Sequence, residues 1–225
     1  MTGALPATET SLWPRRAANN LVESEPRQQP SMERGPMSVW SSTLEAFRNQ
    51  VAAIAPVPSG GATACVCASL GLALLLMALR NANEKEPLAE REKTIIEIEG
   101  LAPVLAEQAD NDVRTFEAYV NEVSGDSNGH SSKTIMDVTL AAITGARSCC
   151  TGLEMAERGL SQVLPYMRSD VVAAALIMHA SLCALLINAK QDAEQLDSPQ
   201  DQAELGQVIA QLQTQADQLL KRIGR

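Results

Sequence analysis

From Ser41 onward the chain is a series of helical patterns separated by short punctuation. Leu44, Phe47, Val51 and Ile54 recur at helical spacing behind Ser41, Ser42 or Thr43, any of which can cap a short amphipathic helix. Pro56 and Pro58 are expected to end it. The turn Pro56-Val57-Pro58-Ser59-Gly60-Gly61 then opens into an apolar run from Ala62 to Leu79. At about 18 residues the run is long enough to be a membrane-span candidate. Small residues fill it (Ala62, Ala64, Ala68, Ser69, Gly71, Ala73) and interfacial Trp or Tyr is missing from it, which favours a buried central helix.

A charged stretch from Asn81 to Glu92 leads to Ile95, Ile96, Ile98, Leu101, Val104 and Leu105, where Gly100 and Pro103 should kink or break the helix. The pattern resumes through Asp110, Asp112, Phe116, Tyr119 and Val123 and stops at Ser124-Gly125. The loop Gly125 to Ser132 is polar. A further helix is predicted from about Lys133 to Leu164, with Gly145 and Gly152 as its weak points. Pro165 stops it, and Ser169 or Asp170 is expected to cap the next, Val171 to about Ala193. That second apolar run carries His179, Ser181 and Asn188. The last helix, Pro199 to Ile223, places Leu205, Ile209, Leu212, Ala216, Leu219 and Ile223 in alternating steps of four and three, a seam for a bundle neighbour or a dimer contact.

Composition sharpens this picture. With aromatic residues at 3% and hydrophobic residues at 45%, the core must be built from small and aliphatic side chains, which suits closely packed helices. The predicted fold is all-α: an up-and-down bundle of about five to six helices, with two buried central helices rich in small residues. Residues 1–36 carry five prolines and almost no apolar periodicity. They read as a disordered tail or as an extension upstream of a start at Met32 or Met37, leaving 37–225 as the folded domain. The tail lacks the apolar stretch of a secretory signal, and its acids argue against a transit peptide.

A formal charge of -9, from 18 Lys plus Arg against 27 Asp plus Glu, argues against nucleic acid as a partner. Cys65, Cys67, Cys149, Cys150 and Cys183 form no C-x-x-C pair, and on a helix Cys65 and Cys67 point to different sides. They read as reduced core residues of a cytoplasmic protein, with no metal expected.

Hydrolase triads, phosphate-binding loops, dinucleotide fingerprints and H-E-x-x-H are all missing from the sequence. His179 lies in an apolar helix and reads as a packed, hydrogen-bonded residue. Asp126-Ser127-Asn128-Gly129-His130 faintly resembles a calcium loop, but its glycine is misplaced and no Glu stands at the twelfth position. Three features remain. The Ser59-Gly60-Gly61 turn offers helix N-terminal amides to an anion or a carbonyl oxygen. Asp112 and Phe116 share a helix face. Ser169-Asp170 opens a helix that carries Asn188 near its other end.

In that order these blocks resemble the cyclodeaminase/cyclohydrolase family of helical folate enzymes. The family's P-T-P-G-G-G turn into an alanine-rich helix matches Pro56-Val57-Pro58-Ser59-Gly60-Gly61 followed by Ala62-Thr63-Ala64. Its D-A-x-A-F-D stretch matches Asp112 to Glu117. Its S-D-x-G-V-A-A helix ending L-L-N-V matches Ser169 to Ala175 and then Leu185-Leu186-Ile187-Asn188-Ala189. The resemblance covers Met37 to the C-terminus. Ser59 and Val172 stand where the family has glycines, and a proline of its fourth helix has no counterpart near Ala142 to Gly145.

The resemblance implies a tetrahydrofolate derivative as substrate, no cofactor and a homodimer. The reaction it implies is either hydrolysis of methenyltetrahydrofolate to 10-formyltetrahydrofolate or release of ammonia from a formimidoyl derivative; the alternative is an altered or inactive member that serves as a binding protein. It nominates Asp112 and Asp170 as acid and base, without saying which is which. Ser59, Gly60, Gly61, Ser169 and Asn188 are nominated to bind substrate, with Phe116 stacking on a ring and Lys190 or Arg114 offering charge to the anionic folate. No membrane partner is expected.

Overall fold

The computed structural model describes residues 38–124 and 131–224; the tail 1–36 and the loop Asp126–His130 lie outside the described residues. Six α-helices follow one another: α1 Leu44–Val51, α2 Gly60–Lys85, α3 Ala89–Ser124, α4 Ser132–Leu160, α5 Arg168–Ala193 and α6 Pro199–Ile223. Short 3-10 turns, Val39–Ser41 and Pro165–Met167, precede α1 and α5. Among the described residues there are no strands.

Helices α2 to α5 form the up-and-down bundle, each packed against its chain neighbours, with α2 closing the ring against α5. Small residues let the backbones approach. At Gly71 an added Cβ would stand 3.1 Å from the Ala174 carbonyl oxygen and 3.1 Å from Met178 Cγ, so α2 and α5 touch almost backbone to backbone. Leu72, Leu75, Leu79, Ile98, Leu153 and Leu182 fill the core with no exposed surface or nearly none. Burial on this scale, at roughly 25 cal/mol per Å² of apolar area, is the main force holding the helices together. Helix α6 lies outside the ring against α4 and α5. It buries Leu212, Ala216, Leu219 and Ile223, so the four-and-three seam is used within the chain.

Several boundaries differ from those read off the pattern. Thr43 caps α1, its hydroxyl accepting the Ala46 amide at 3.1 Å, but the helix stops at Val51 and leaves Ile54 almost fully exposed. Pro103 lies inside an unbroken α3. It sits on an exposed face, where the carbonyl it leaves unpaired can turn to water. Helix α4 ends at Leu160, before Leu164. Neither Ser169 nor Asp170 caps α5: the Pro165–Met167 turn runs straight into Arg168, which places both residues within the first helical turn.

The two long apolar helical segments, Gly60–Lys85 and Pro165–Ala193, are long and apolar enough to cross a membrane by length and composition, and the bundle buries 56% and 44% of their most apolar windows. At the end of the bundle where α2 finishes, buried Arg91 donates from Nε to the Gln162 carbonyl at 2.5 Å and from its guanidinium to the Glu86 carbonyl. That end is tied shut by a side chain.

Candidate active site

The opposite end, where α2 begins, gathers the polar groups. The cis peptide Val57–Pro58 leads into Ser59, which caps α2 with its hydroxyl. Ser59 Oγ accepts the Gly61 amide at 3.1 Å and the Ala62 amide at 3.4 Å. The same hydroxyl donates its proton to Oδ2 of Asp112 on α3, and Oδ2 also accepts the Ala62 amide at 2.8 Å. A carboxylate from one helix therefore sits on the positive end of another. The N-terminal amides that the sequence offered to an external oxygen are, at Gly61 and Ala62, already engaged.

Glycine is required for this contact. A Cβ at Gly61 would fall 2.0 Å from Asp112 Oδ1, inside any allowed contact. Gly60 faces the other way, and a Cβ there would lie 3.5 Å from the amide nitrogen of Asn188 on α5. Ser59, Gly60, Gly61, Asp112 and Asn188 thus meet at one place, although they come from three helices.

Burial pushes the Asp112 carboxyl above its ordinary range, while the Ser59 hydroxyl and the Ala62 amide pull it back. Beside it on α2, the Cys65 thiol is pushed up to about 12 by burial first and by the Asp112 charge second. The motif reading did not select Asp192, one helical turn past Asn188. Its carboxyl is pushed up to about 6, chiefly by burial and then by the charge of Asp112. Tyr119, on α3, is also raised by burial and by Asp192, against the bond its hydroxyl makes to Gln195 Oε1 at 3.2 Å. The i, i+4 step from Asn188 was the available clue to Asp192.

Two of the remaining nominees, Asp170 and Ser169, lie apart from this junction, whereas Phe116 is one turn from Asp112 on α3. Asp170 and Ser169 stand at the start of α5, about 27 Å from Asn188 at 1.5 Å per residue, and the antiparallel course of α5 against α2 puts them at the far end of the bundle. They are at the Arg91 end, and within one chain they do not meet Asp112. Lys190 is exposed and, two residues from Asn188, points to a different face. Phe116 stacks on Tyr119 with ring centroids 5.7 Å apart. Val172 is partly buried and packs on the core. Asp110, in the same acidic stretch as Asp112, accepts the Val39 amide at 2.8 Å and holds the first 3-10 turn on α3.

Two open clefts run along the outer α3–α4 groove. One, of about 390 Å³, is lined by Glu107, Gln108, Asn111, Thr115, Asp137 and Thr144 among others. The other, of about 380 Å³, shares Asn111, Thr115 and Asp137 and adds Arg114 and Lys133. Arg114 is paired with Glu107 at 2.6 Å. Among the described residues, no group of three or more His, Cys, Asp or Glu side chains is placed to hold a metal ion.

A carboxyl held by a hydroxyl and a backbone amide, with an amide side chain and a second carboxyl beside it, can move protons and can stabilise a cation. A family profile described as Formiminotransferase-cyclodeaminase matches residues 43–214. The methenyltetrahydrofolate cyclohydrolase of Methylorubrum extorquens is 28% identical over 174 residues, spanning 70% of this chain and 82% of that protein. Among solved structures, the formiminotetrahydrofolate cyclodeaminase of Thermotoga maritima shares the fold with a TM-score of 0.76 at 20% identity, covering 82% of this chain and 95% of that one.

Proposed function

Because the chain belongs to the formiminotransferase-cyclodeaminase family, we propose that it is a folate one-carbon enzyme, acting as a methenyltetrahydrofolate cyclohydrolase. The observation that carries this reading is the junction at which Ser59, Ala62, Asp112 and Asn188 converge. The relative with the higher identity is named for the hydrolase reaction, and so the hydrolase is preferred to the cyclodeaminase.

The substrate carries a positive charge spread over N5, the one-carbon unit and N10. A fixed carboxylate such as Asp112 stabilises that charge, and Asn188 orients water or a ring substituent by hydrogen bonding. Water attacks the carbon and a C–O bond forms. One water proton passes to a carboxylate. The C–N5 bond then breaks, N5 keeps the electron pair and takes that proton, and the remaining hydroxyl proton leaves to solvent as the formyl carbonyl forms. The step consumes one water and releases one proton. Lys133, bordering the α3–α4 cleft, supplies positive charge for the carboxylates of a folate, and Arg114 beside it does so only by exchanging its Glu107 partner.

A homodimer in the cytoplasm completes the reading. Leu70 and Met77 on α2 and Leu176, Ile177 and Ile187 on α5 are exposed. They give the α2–α5 side an apolar surface suited to a second copy. The experiment is to follow methenyltetrahydrofolate absorbance with purified protein and an Asp112→Asn control. We expect acceleration over buffer, and a loss of about 10²-fold or more in the variant. No acceleration would remove the cyclohydrolase; ammonia released from the formimidoyl substrate would put the cyclodeaminase in its place.

A further inference from the structure

The junction contains a carboxyl for which no role has yet been assigned. Asp192 lies one turn beyond Asn188 on α5, so the two share the helix face that Asn188 presents to Gly60. It is partly buried. The titratable groups that act on it come from α3: the Asp112 carboxyl and the Tyr119 hydroxyl, whose own ionisation is held back by Asp192. From α2, Cys65 stands beside Asp112 as a neutral thiol. On α5 itself, Lys190 and Glu194 flank Asp192 in sequence and are exposed. Among the described residues, no Lys, Arg or His forms an ion pair with either Asp112 or Asp192.

Two partly buried carboxyls with no counter-cation do not both ionise readily, and hydrogen-bond donors decide which of them keeps the charge. The Ser59 hydroxyl and the Ala62 amide are aimed at Asp112. We propose that Asp192 is the proton carrier of this site and that Asp112 is its fixed anion. The inference rests on the cyclohydrolase reading above. In that reaction Asp192 takes the first proton from the attacking water and returns it to N5 when the C–N5 bond breaks, so it ends each cycle as it began. Its carboxyl, pushed up to about 6 by burial and by Asp112, suits a group that must both accept and give a proton near neutrality.

Two measurements test the assignment. The first is the pH profile of kcat/KM for methenyltetrahydrofolate in wild type and in Asp192→Asn. In wild type the rate rises with pH to a plateau above about 6, since the ionised form starts the cycle; the variant is about 10²-fold slower and lacks that limb. A variant that keeps the wild-type rate and limb overturns the proposal. The second, independent of turnover, is a carbon-13 NMR titration of the side-chain carboxyls in wild type and in Asp112→Asn. Asp192 should titrate near 6 in the first protein and lower in the second; an ordinary carboxylate midpoint in wild type overturns the proposal with or without activity. If wild type has no cyclohydrolase activity but Asp192 still titrates near 6, the functional reading fails and takes the catalytic assignment with it.

Discussion

The hydroxyl of Ser59 and the carboxylate of Asp112 are joined across two helices: Ser59 caps α2 and at the same time donates its proton to Asp112 on α3. One serine thus ends a turn, starts a helix and fixes the orientation of a buried carboxyl. A glycine there would keep the backbone turn but give up the proton donor.

Ser59→Ala should therefore act on stability and on titration at once. The lost cap costs about 1 kcal/mol in urea denaturation. The Ser59 bond holds the Asp112 carboxyl down, so its midpoint should rise in the variant when followed by carboxyl NMR. An unchanged midpoint would mean that the Ser59 hydroxyl does not hold the Asp112 carboxyl down.

Gly60 and Gly61 should respond very unequally to alanine. At Gly61 the new Cβ meets Asp112 Oδ1 at 2.0 Å, so the carboxyl must turn away or α2 and α3 must separate, at a cost of about 1–3 kcal/mol and the loss of most of the activity. At Gly60 the nearest atom is 3.5 Å away, and replacement should change stability by only a few tenths of a kcal/mol. Denaturation midpoints and initial rates of the two variants compare them directly.

Asp192 should make stability depend on pH in a defined window. Its folded-state pKa, about 6, lies above the ordinary aspartate value of about 3.9, so the folded protein holds the proton to higher pH than the unfolded chain does. Its contribution is therefore most favourable below about 4, declines as pH rises to about 6, and is unfavourable above that. Asp192→Asn should be more stable than wild type at pH 7.5, by on the order of 1 kcal/mol, with the gap closing toward pH 4. Urea denaturation across that range measures it; a gap independent of pH would contradict the linkage.

The cysteines should separate by burial. Cys67 is exposed, Cys183 is partly buried, and Cys65, Cys149 and Cys150 are buried. Burial raises the Cys65 thiol to about 12 and the Cys150 thiol to about 11, and raises Cys149 further. A thiol-reactive reagent at neutral pH should label Cys67 first and the three buried thiols only as the protein unfolds, as peptide mass spectrometry would show.

Much of the bundle was legible in the chain. The length of the Ala62–Leu79 apolar run identifies a core helix, though not which of its faces is buried, and the spacing from Leu205 to Ile223 identifies both a helix and its buried side. Pro103 does not break α3 because its propensity is local: on an exposed face of a long packed helix, tertiary contacts on either side outweigh one missing hydrogen bond. Of the candidate site, Ser59 to Gly61, Asp112 and Asn188 were legible as motifs. Asp170 shares a motif with Asn188 but is separated from it by most of α5, a distance that the antiparallel course of the helices converts into opposite ends of the bundle. Asp192 belongs to no motif, and only the folded neighbours on α3 give it a distinctive environment.

The space in which Asp112 rests is the space that any larger residue at position 61 would need. A lineage that gained a side chain at 61 would have to lose or redirect the carboxyl at 112, and one that lost the carboxyl would free 61 to vary. The constraint runs one way: position 61, far from 112 in the chain, can gain a side chain only after or together with a change at 112.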